Sequence, residues 1–286
     1  MIPEPRDAAT VLLLRPCATN PFEVFMVRRH SASGFMGGMY VYPGGKCDPA
    51  DSAAEIEPFC FGVTAADAAV VLGAGLEPRR ALGHFVAAVR ETFEEAGVLL
   101  AVDSQGHPVD VATAGPGLAW ARAALQGGHT SLVAILAALG WRMDLGCLRY
   151  LAHWVTPPVE SRRFSARFFL ASVPEGTAAA HDTHETTASA WIAPAAALRR
   201  YRVGEIDTAP PTLRILEQLA EQPSIAAALA MAPHAPVSPT SPQIAPNEAT
   251  FTLVLDGDPL HPTAPGDRMR RFVLESGRWV TRFEER

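Results

Sequence analysis

Apolar and polar positions alternate or cluster along the chain with two distinct periods. Residues 8–15 (AATVLLLR) and 23–29 (EVFMVRR) are short apolar runs bounded by Pro and Asn, which predicts two strands of a hairpin. Further on the period lengthens. Leu82, Val86, Val89 and Phe93 recur at helical spacing, predicting a helix that starts near residues 78–80 and ends at Gly97, a natural left-handed cap. Residues 118–125 and 131–139 read as two further helices, and strands resume at 149–156, 163–173 and 185–192. Pro194 opens a helix at its first turn, Pro210-Pro211 another that runs to about 221, and 224–231 a shorter one. Residues 233–246 carry five prolines in 14 positions and read as a linker or an extended strap. Beyond them, 249–255, 270–274 and 278–283 look like strands, with Glu275-Ser276-Gly277 as a hairpin turn.

With 286 residues, 48% of them hydrophobic, the chain can bury a substantial core as one large domain or one domain plus appendages. The formal net charge of -6, with no basic stripe, argues against nucleic acid as a partner. No stretch approaches a membrane span. Cys17, Cys47, Cys60 and Cys147 show no metal-ligand spacing and read as free thiols. The first seven residues lack a basic-then-apolar leader pattern, and Glu284-Glu285-Arg286 is no peroxisomal address, so the expected compartment is the cytoplasm.

Chemistry concentrates in one nine-residue run, Arg90-Glu91-Thr92-Phe93-Glu94-Glu95-Ala96-Gly97-Val98. On a helix, Glu91, Glu94 and Glu95 fall within an arc of roughly 100°, opposite the apolar stripe. Like charges at this spacing repel by a few tenths of a kcal/mol, roughly, unless a cation intervenes. Hard divalent ions that prefer oxygen ligands would turn the repulsion into binding energy. Arg90, four residues before Glu94, can orient it by a charge-assisted bond. Upstream, Tyr42-Pro43-Gly44-Gly45-Lys46 is a glycine turn, with Asp51 six residues after Gly45.

The run resembles the second half of a Nudix box, and the glycine turn with Asp51 resembles the first half, where the family usually has Glu. The family spacer is seven residues; here residues 52–89, 38 in all, intervene. Such an insertion is thermodynamically mild, because loop closure costs grow only logarithmically with length. Thr64-Ala65-Ala66-Asp67 within it reads as a capping-box start for a helix of its own. Residues 34–51, His153-Trp154-Val155-Thr156-Pro157, Arg162-Arg163-Phe164, Arg167-Phe168-Phe169 and Glu185 before Trp191 are similar to the Nudix branch containing peroxisomal (acyl-)coenzyme A diphosphatases. The resemblance covers roughly residues 8–220.

That resemblance implies an α/β fold, the Nudix α/β/α sandwich with a mixed sheet, extra helical insertions at about 52–80 and 104–146, and a small C-terminal β extension. The implied organisation is a Nudix domain over residues 1–232, a Pro-rich linker over 233–248 and the extension over 249–286. It implies a hydrolase of acid anhydrides that uses Mg²⁺ or Mn²⁺ to split the pyrophosphate bond of a nucleoside diphosphate linked to a second moiety. Coenzyme A or acyl-CoA is the leading substrate. ADP-ribose or NADH cleavage, or a non-catalytic ligand-binding module, are the alternatives. By the same resemblance Glu94, Glu95 and the carbonyl of Gly45 would hold metal, with Glu91 either a further ligand or the group that accepts the proton of water. Arg90 would position a carboxylate. Glu185 is the candidate extra acid, flanked by His181 and His184; Asp51 is either a second such acid or only a salt-bridge partner. Arg28, Arg162 and Arg163 are candidates for substrate phosphate, and Trp154 and Phe164 for stacking on a base or for the core. A homodimer is left open.

Overall fold

The computed structural model describes residues 3–73, 75–109, 116–182 and 185–284. Its centre is a mixed sheet. Strand β1 (Arg6–Arg15) pairs in parallel with β9 (Phe164–Ser172), which pairs antiparallel with β8 (Arg149–Val155). On the other side β1 meets β2 (Glu23–Arg29) at only two positions, Leu14↔Val24 and Arg15↔Glu23. The predicted hairpin therefore exists only at its base. Beyond that point β2 diverges to pair with β10 (Thr186–Ile192), while β3 (Tyr40–Val41) and β4 (Gly44–Lys46) enter the gap, β4 pairing with β1 from Ala8 to Thr10. Glycine permits this close fit: a Cβ on Gly44 would collide with the Ala9 carbonyl oxygen of β1.

Strand periodicity splits the sheet's side chains between two cores. Ala9, Val11, Leu13, Phe25, Val27 and Phe169 face the long helix α2 (Pro78–Ala96), where Leu82, Val86, Val89 and Phe93 are all at most 2% exposed. Leu12, Leu14, Val24, Met26 and Leu170 face the opposite way, onto α5 (Pro194–Arg202) and α6 (Pro210–Ala220). Helix α2 is buried nearly all round, Glu95 and Arg90 included, so its polar side is an interior surface and not a solvated one.

The two insertions are stitched to each other. The first holds two 3-10 turns, β5 (Cys60–Phe61) and α1 (Ala65–Leu72), whose N-cap Thr64 and Asp67 form the reciprocal capping box. The second contains α3 (Pro116–Gln126), α4 (Leu132–Leu139) and β7 (Arg142–Asp144). Strand β7 pairs with β5 on one side and with β6 (Ala101–Val102), just after α2, on the other. Residues distant in sequence thus form one small sheet beneath the C-terminal half of α2.

After the short helix α7 (Ile225–Leu229), the proline-rich stretch runs along the sheet edge. The Thr240 N–H donates to the His153 carbonyl and the Val155 N–H to that of Thr240, both at 2.8 Å. A four-stranded antiparallel sheet follows: β11 (Gln243–Ile244), β12 (Thr252–Val254), β13 (Arg270–Glu275) and β14 (Arg278–Phe283). Leu253, Leu255 and Phe272 join the second core, so the extension packs on the main body of the same chain. Trp154 is buried there against Phe272. Among the described residues no helix is long and apolar enough to cross a membrane.

Candidate active site

The two halves of the split motif meet in space. The Gly44 N–H donates to Oε2 of Glu95 at 2.9 Å. A Cβ on Gly45 would lie 2.5 Å from Cδ of Glu91, so only glycine admits that carboxylate against the backbone. Gly97, with φ of 72°, ends the helix as its sequence position predicts. Glu91, Glu94 and Glu95 together line a cavity of about 370 Å³ with Ala123, Gln126, Gly127, Asp182 and Glu185.

Arg90 organises the cluster from below. Its guanidinium grips Asp51 through Nε and Nη2, each at 2.9 Å, in a buried bidentate pair. Nη2 also donates to the Lys46 carbonyl, and Nη1 to Glu91 at 2.8 Å and Glu94 at 3.1 Å. Asp51 also caps its own 3-10 turn by accepting from the Asp48 N–H. It does not line the cavity; its place is beneath Arg90.

One guanidinium does not balance this many acids. Burial pushes the Glu91 carboxyl up to about 7, and Glu94 adds to the push against the pull of Arg90. Burial raises Glu94 too, opposed by Arg90. Glu95 is held well above the ordinary carboxylate range by burial and by Glu91, despite the Gly44 N–H and the positive charge of Arg29. Among the described residues, no three His, Cys, Asp or Glu side chains already stand in a closed ligand arrangement, since Arg90 and Gly44 occupy several of the oxygens.

Other residues singled out in the sequence fall in different places. Glu185 is exposed at the cavity wall, and His181 hydrogen-bonds Ser189 at 3.0 Å; His184 lies outside the described residues. Arg28 donates to the Gly38 carbonyl, Arg162 lies against Gly34, and Arg163 donates to the carbonyls of Thr156 and Pro3. None of these three lines the cavity. Phe164 packs on Phe35, ring centroids 5.1 Å apart.

Three contributors are not identifiable from the sequence pattern. Asp182 is buried in the cavity wall, accepting from the Glu185 N–H and the Thr186 hydroxyl. Arg122 and Gln126 of α3 both donate to the Glu94 carbonyl, Arg122 at 2.9 Å, closing the C-terminal turn of the box helix. Their spacing of four on one helix was the available signal, but nothing in it named their acceptor.

A mixed sheet with a glycine strand wedged against a carboxylate-bearing helix defines a Nudix hydrolase, and the comparisons agree. The chain belongs to the Nudix hydrolase family. It is 30% identical to a crystal structure of a NUDIX hydrolase from Alicyclobacillus acidocaldarius, covering 84% of this chain and 100% of that one with a TM-score of 0.67. Residues 79–219 match the NUDT19 Nudix domain model. The chain is homologous to the acyl-coenzyme A diphosphatases NUDT19 of Gallus gallus, 29% identical over 258 residues, and Homo sapiens, 28% identical over 240. Those matches cover 72% and 74% of this chain but only 65% and 64% of the relatives' own length.

Proposed function

We propose that this chain is a divalent-metal-dependent pyrophosphohydrolase acting on a nucleoside diphosphate joined to a second moiety, with coenzyme A or acyl-CoA as the substrate. The observation that carries this reading is the surplus of buried carboxylate: Glu91 and Glu95 share one cavity with Glu94, and burial, added to by the neighbouring carboxylates, pushes both above their ordinary range. An all-oxygen donor set with excess negative charge fits Mg²⁺ or Mn²⁺ and no softer metal. Glu91, Glu94, Glu95 and the Gly45 carbonyl would hold it. When bound, such a cation supplies positive charge toward phosphoryl oxygens and acidifies water.

The chain's own residues do the rest. Arg90, fixed by Asp51, sets the direction of Glu91 and Glu94. Gly44 holds Glu95 against the glycine strand. Glu185, exposed at the cavity wall, takes the proton of the attacking water. The water oxygen bonds to one phosphorus while the bridging P–O bond breaks, its electrons leaving on the departing phosphate. From coenzyme A the products are 3',5'-ADP and 4'-phosphopantetheine, or its acyl form from acyl-CoA. The family assignment and the relatives' names support the substrate choice.

The test is a panel of coenzyme A, acyl-CoA, ADP-ribose, NADH and nucleoside triphosphates with Mg²⁺ or Mn²⁺, with products identified by mass. Preferred cleavage of the coenzyme A compounds, abolished by EDTA and restored by either metal, is the expected result. Preference for ADP-ribose or NADH would move the substrate assignment, and full activity after exhaustive chelation would remove the metal.

A further inference from the structure

Two adjacent arginines end strand β2, and strand geometry sends them to opposite faces. Phe25 and Val27 enter the core beneath α2, whereas Val24 and Met26 enter the core beneath α5 and α6. By the two-residue period, Arg29 continues the first row, toward the carboxylates, and Arg28 the second, away from them. Arg28 is spent on the Gly38 carbonyl at 3.1 Å. The Arg29 side chain makes no hydrogen bond and no ion pair among the described residues, and its Nε is buried without a partner. Its backbone is fixed on both sides: Arg29 pairs with Thr186, its N–H donates to the Met39 carbonyl, and the next N–H, of His30, donates to the Glu185 carbonyl. It does not itself line the cavity, but unlike Arg28 it lies on the cavity's side of the sheet, one residue from the cavity's Glu185, and its positive charge acts on the carboxylate of Glu95.

A half-buried guanidinium kept without a partner beside an acidic cavity is costly unless something else completes it. Arg122, also close to the carboxylates, has a buried Nη2 without a partner too, but it differs because its Nε is used on the Glu94 carbonyl, which ties its guanidinium to the helix end. We propose that Arg29 is the substrate-binding cation of this site, donating to the phosphoryl oxygens of the diphosphate, and that Arg28 has no such role. The inference rests on the pyrophosphohydrolase reading and adds the residue that recognises the diphosphate. A planar fork of donors suits two non-bridging phosphate oxygens, and its placement on the carboxylate side of the sheet leaves the diphosphate between positive Arg29 and the acidic helix.

The experiment uses the full chain with Arg29→Ala, Arg29→Lys, Arg28→Ala and Glu95→Gln. Affinity for α,β-methylene-ADP, whose bridging carbon resists cleavage, is measured by calorimetry, and kcat/KM is measured with coenzyme A and ADP-ribose. Arg29→Ala should weaken the analogue and lower kcat/KM by roughly 10- to 100-fold, the range of a charge-assisted bond to phosphate. Arg29→Lys should fall between, and Arg28→Ala should change either quantity by less than about threefold. Because the Arg29 side chain makes no hydrogen bond or ion pair among the described residues, Tm should stay within ~3 °C of wild type. Wild-type affinity and kcat/KM in Arg29→Ala, or an equal loss in Arg28→Ala, would overturn the assignment. If Glu95→Gln abolishes activity while Arg29→Ala keeps it, only Arg29 is wrong. A wild-type chain that neither binds the analogue nor cleaves either substrate overturns the parent reading as well.

Discussion

The two ends of helix α2 each carry a charged cluster, and the clusters are built on opposite principles. At the N-terminal end, Arg80 donates to Asp7 at 2.6 Å, Arg167 reaches Nε2 of His84 at 2.6 Å, and Nδ1 of His84 lies 2.8 Å from the Arg80 carbonyl. Burial would raise the Asp7 carboxyl, but bonds from His84 and Arg80 override it and hold the group well below the ordinary carboxylate range. At the C-terminal end burial wins, and Glu91 and Glu95 are pushed up. The same helix and the same sheet face thus hold one carboxylate whose charge is matched and a group whose charge is not. The matched cluster fastens the helix to β1 and β9. In the unmatched one burial opposes ionisation, and Arg90 and Arg29 offset it only in part.

The largest expected effect separates the two ends by function. Glu95→Gln keeps the side chain's shape and removes one charge; turnover should fall by at least about 100-fold, as electrostatic stabilisation is lost. Its Tm should hold or rise, because repulsion with Glu91 is relieved. Asp7→Asn should do the reverse, lowering stability by about 1–3 kcal/mol in a denaturant titration while kcat stays within a few-fold. Equal losses of activity from both would erase the distinction.

Asp51→Asn sharpens it from below. Breaking the bidentate pair frees Arg90, so stability should drop by about 1–3 kcal/mol and turnover by roughly tenfold, since Glu91 and Glu94 lose a fixed partner. Unchanged turnover would show that Arg90 holds its acids without help.

The clusters should also respond to pH with opposite signs. Glu91 titrates near 7 in the folded chain against an ordinary value of 4.5. Between those values the folded protein keeps a proton that the unfolded chain releases, so without metal its contribution to stability falls as pH rises across that window. Beside Arg167, burial and the charges of Arg167 and His84 lower His153 from 6.5 to about 4. There the unfolded chain binds the extra proton, so stability falls as pH drops from about 6.5 to 4. Unfolding free energies of Glu91→Gln and His153→Gln against wild type in EDTA, measured across pH, should show these two slopes, each at most about 1.4 kcal/mol per pH unit. The smallest effect belongs to α3: Gln126→Ala removes one of two donors to the Glu94 carbonyl and should cost only a few-fold in turnover, checked by steady-state kinetics.

How much of this was legible depended on whether the cause was local. The apolar stripe of α2, its glycine cap, the capping box at Thr64 and the turn at Ser276-Gly277 follow from neighbouring residues, and each lies where its pattern put it. The three glutamates were legible for the same reason. The shortness of the β1–β2 hairpin was not, because it depends on β4 pairing with β1 between the two strands, Gly44 against Thr10 and Lys46 against Ala8. Arg122 and Gln126 were invisible because their acceptor is a backbone carbonyl on another helix. The face occupied by Arg29 was readable in principle from Phe25 and Val27, yet only the core beneath α2 gives that alternation a direction.

The central proposal is that the C-terminal cluster of α2 would hold a divalent cation through Glu91, Glu94 and Glu95. Calorimetric titration of Mn²⁺ into the metal-free chain at pH 7.5 tests it without any substrate. The account predicts saturable binding that Glu95→Gln weakens by at least about tenfold and Asp7→Asn leaves unchanged. Equal Mn²⁺ affinity in wild type and Glu95→Gln, or no saturable binding in either, would contradict it.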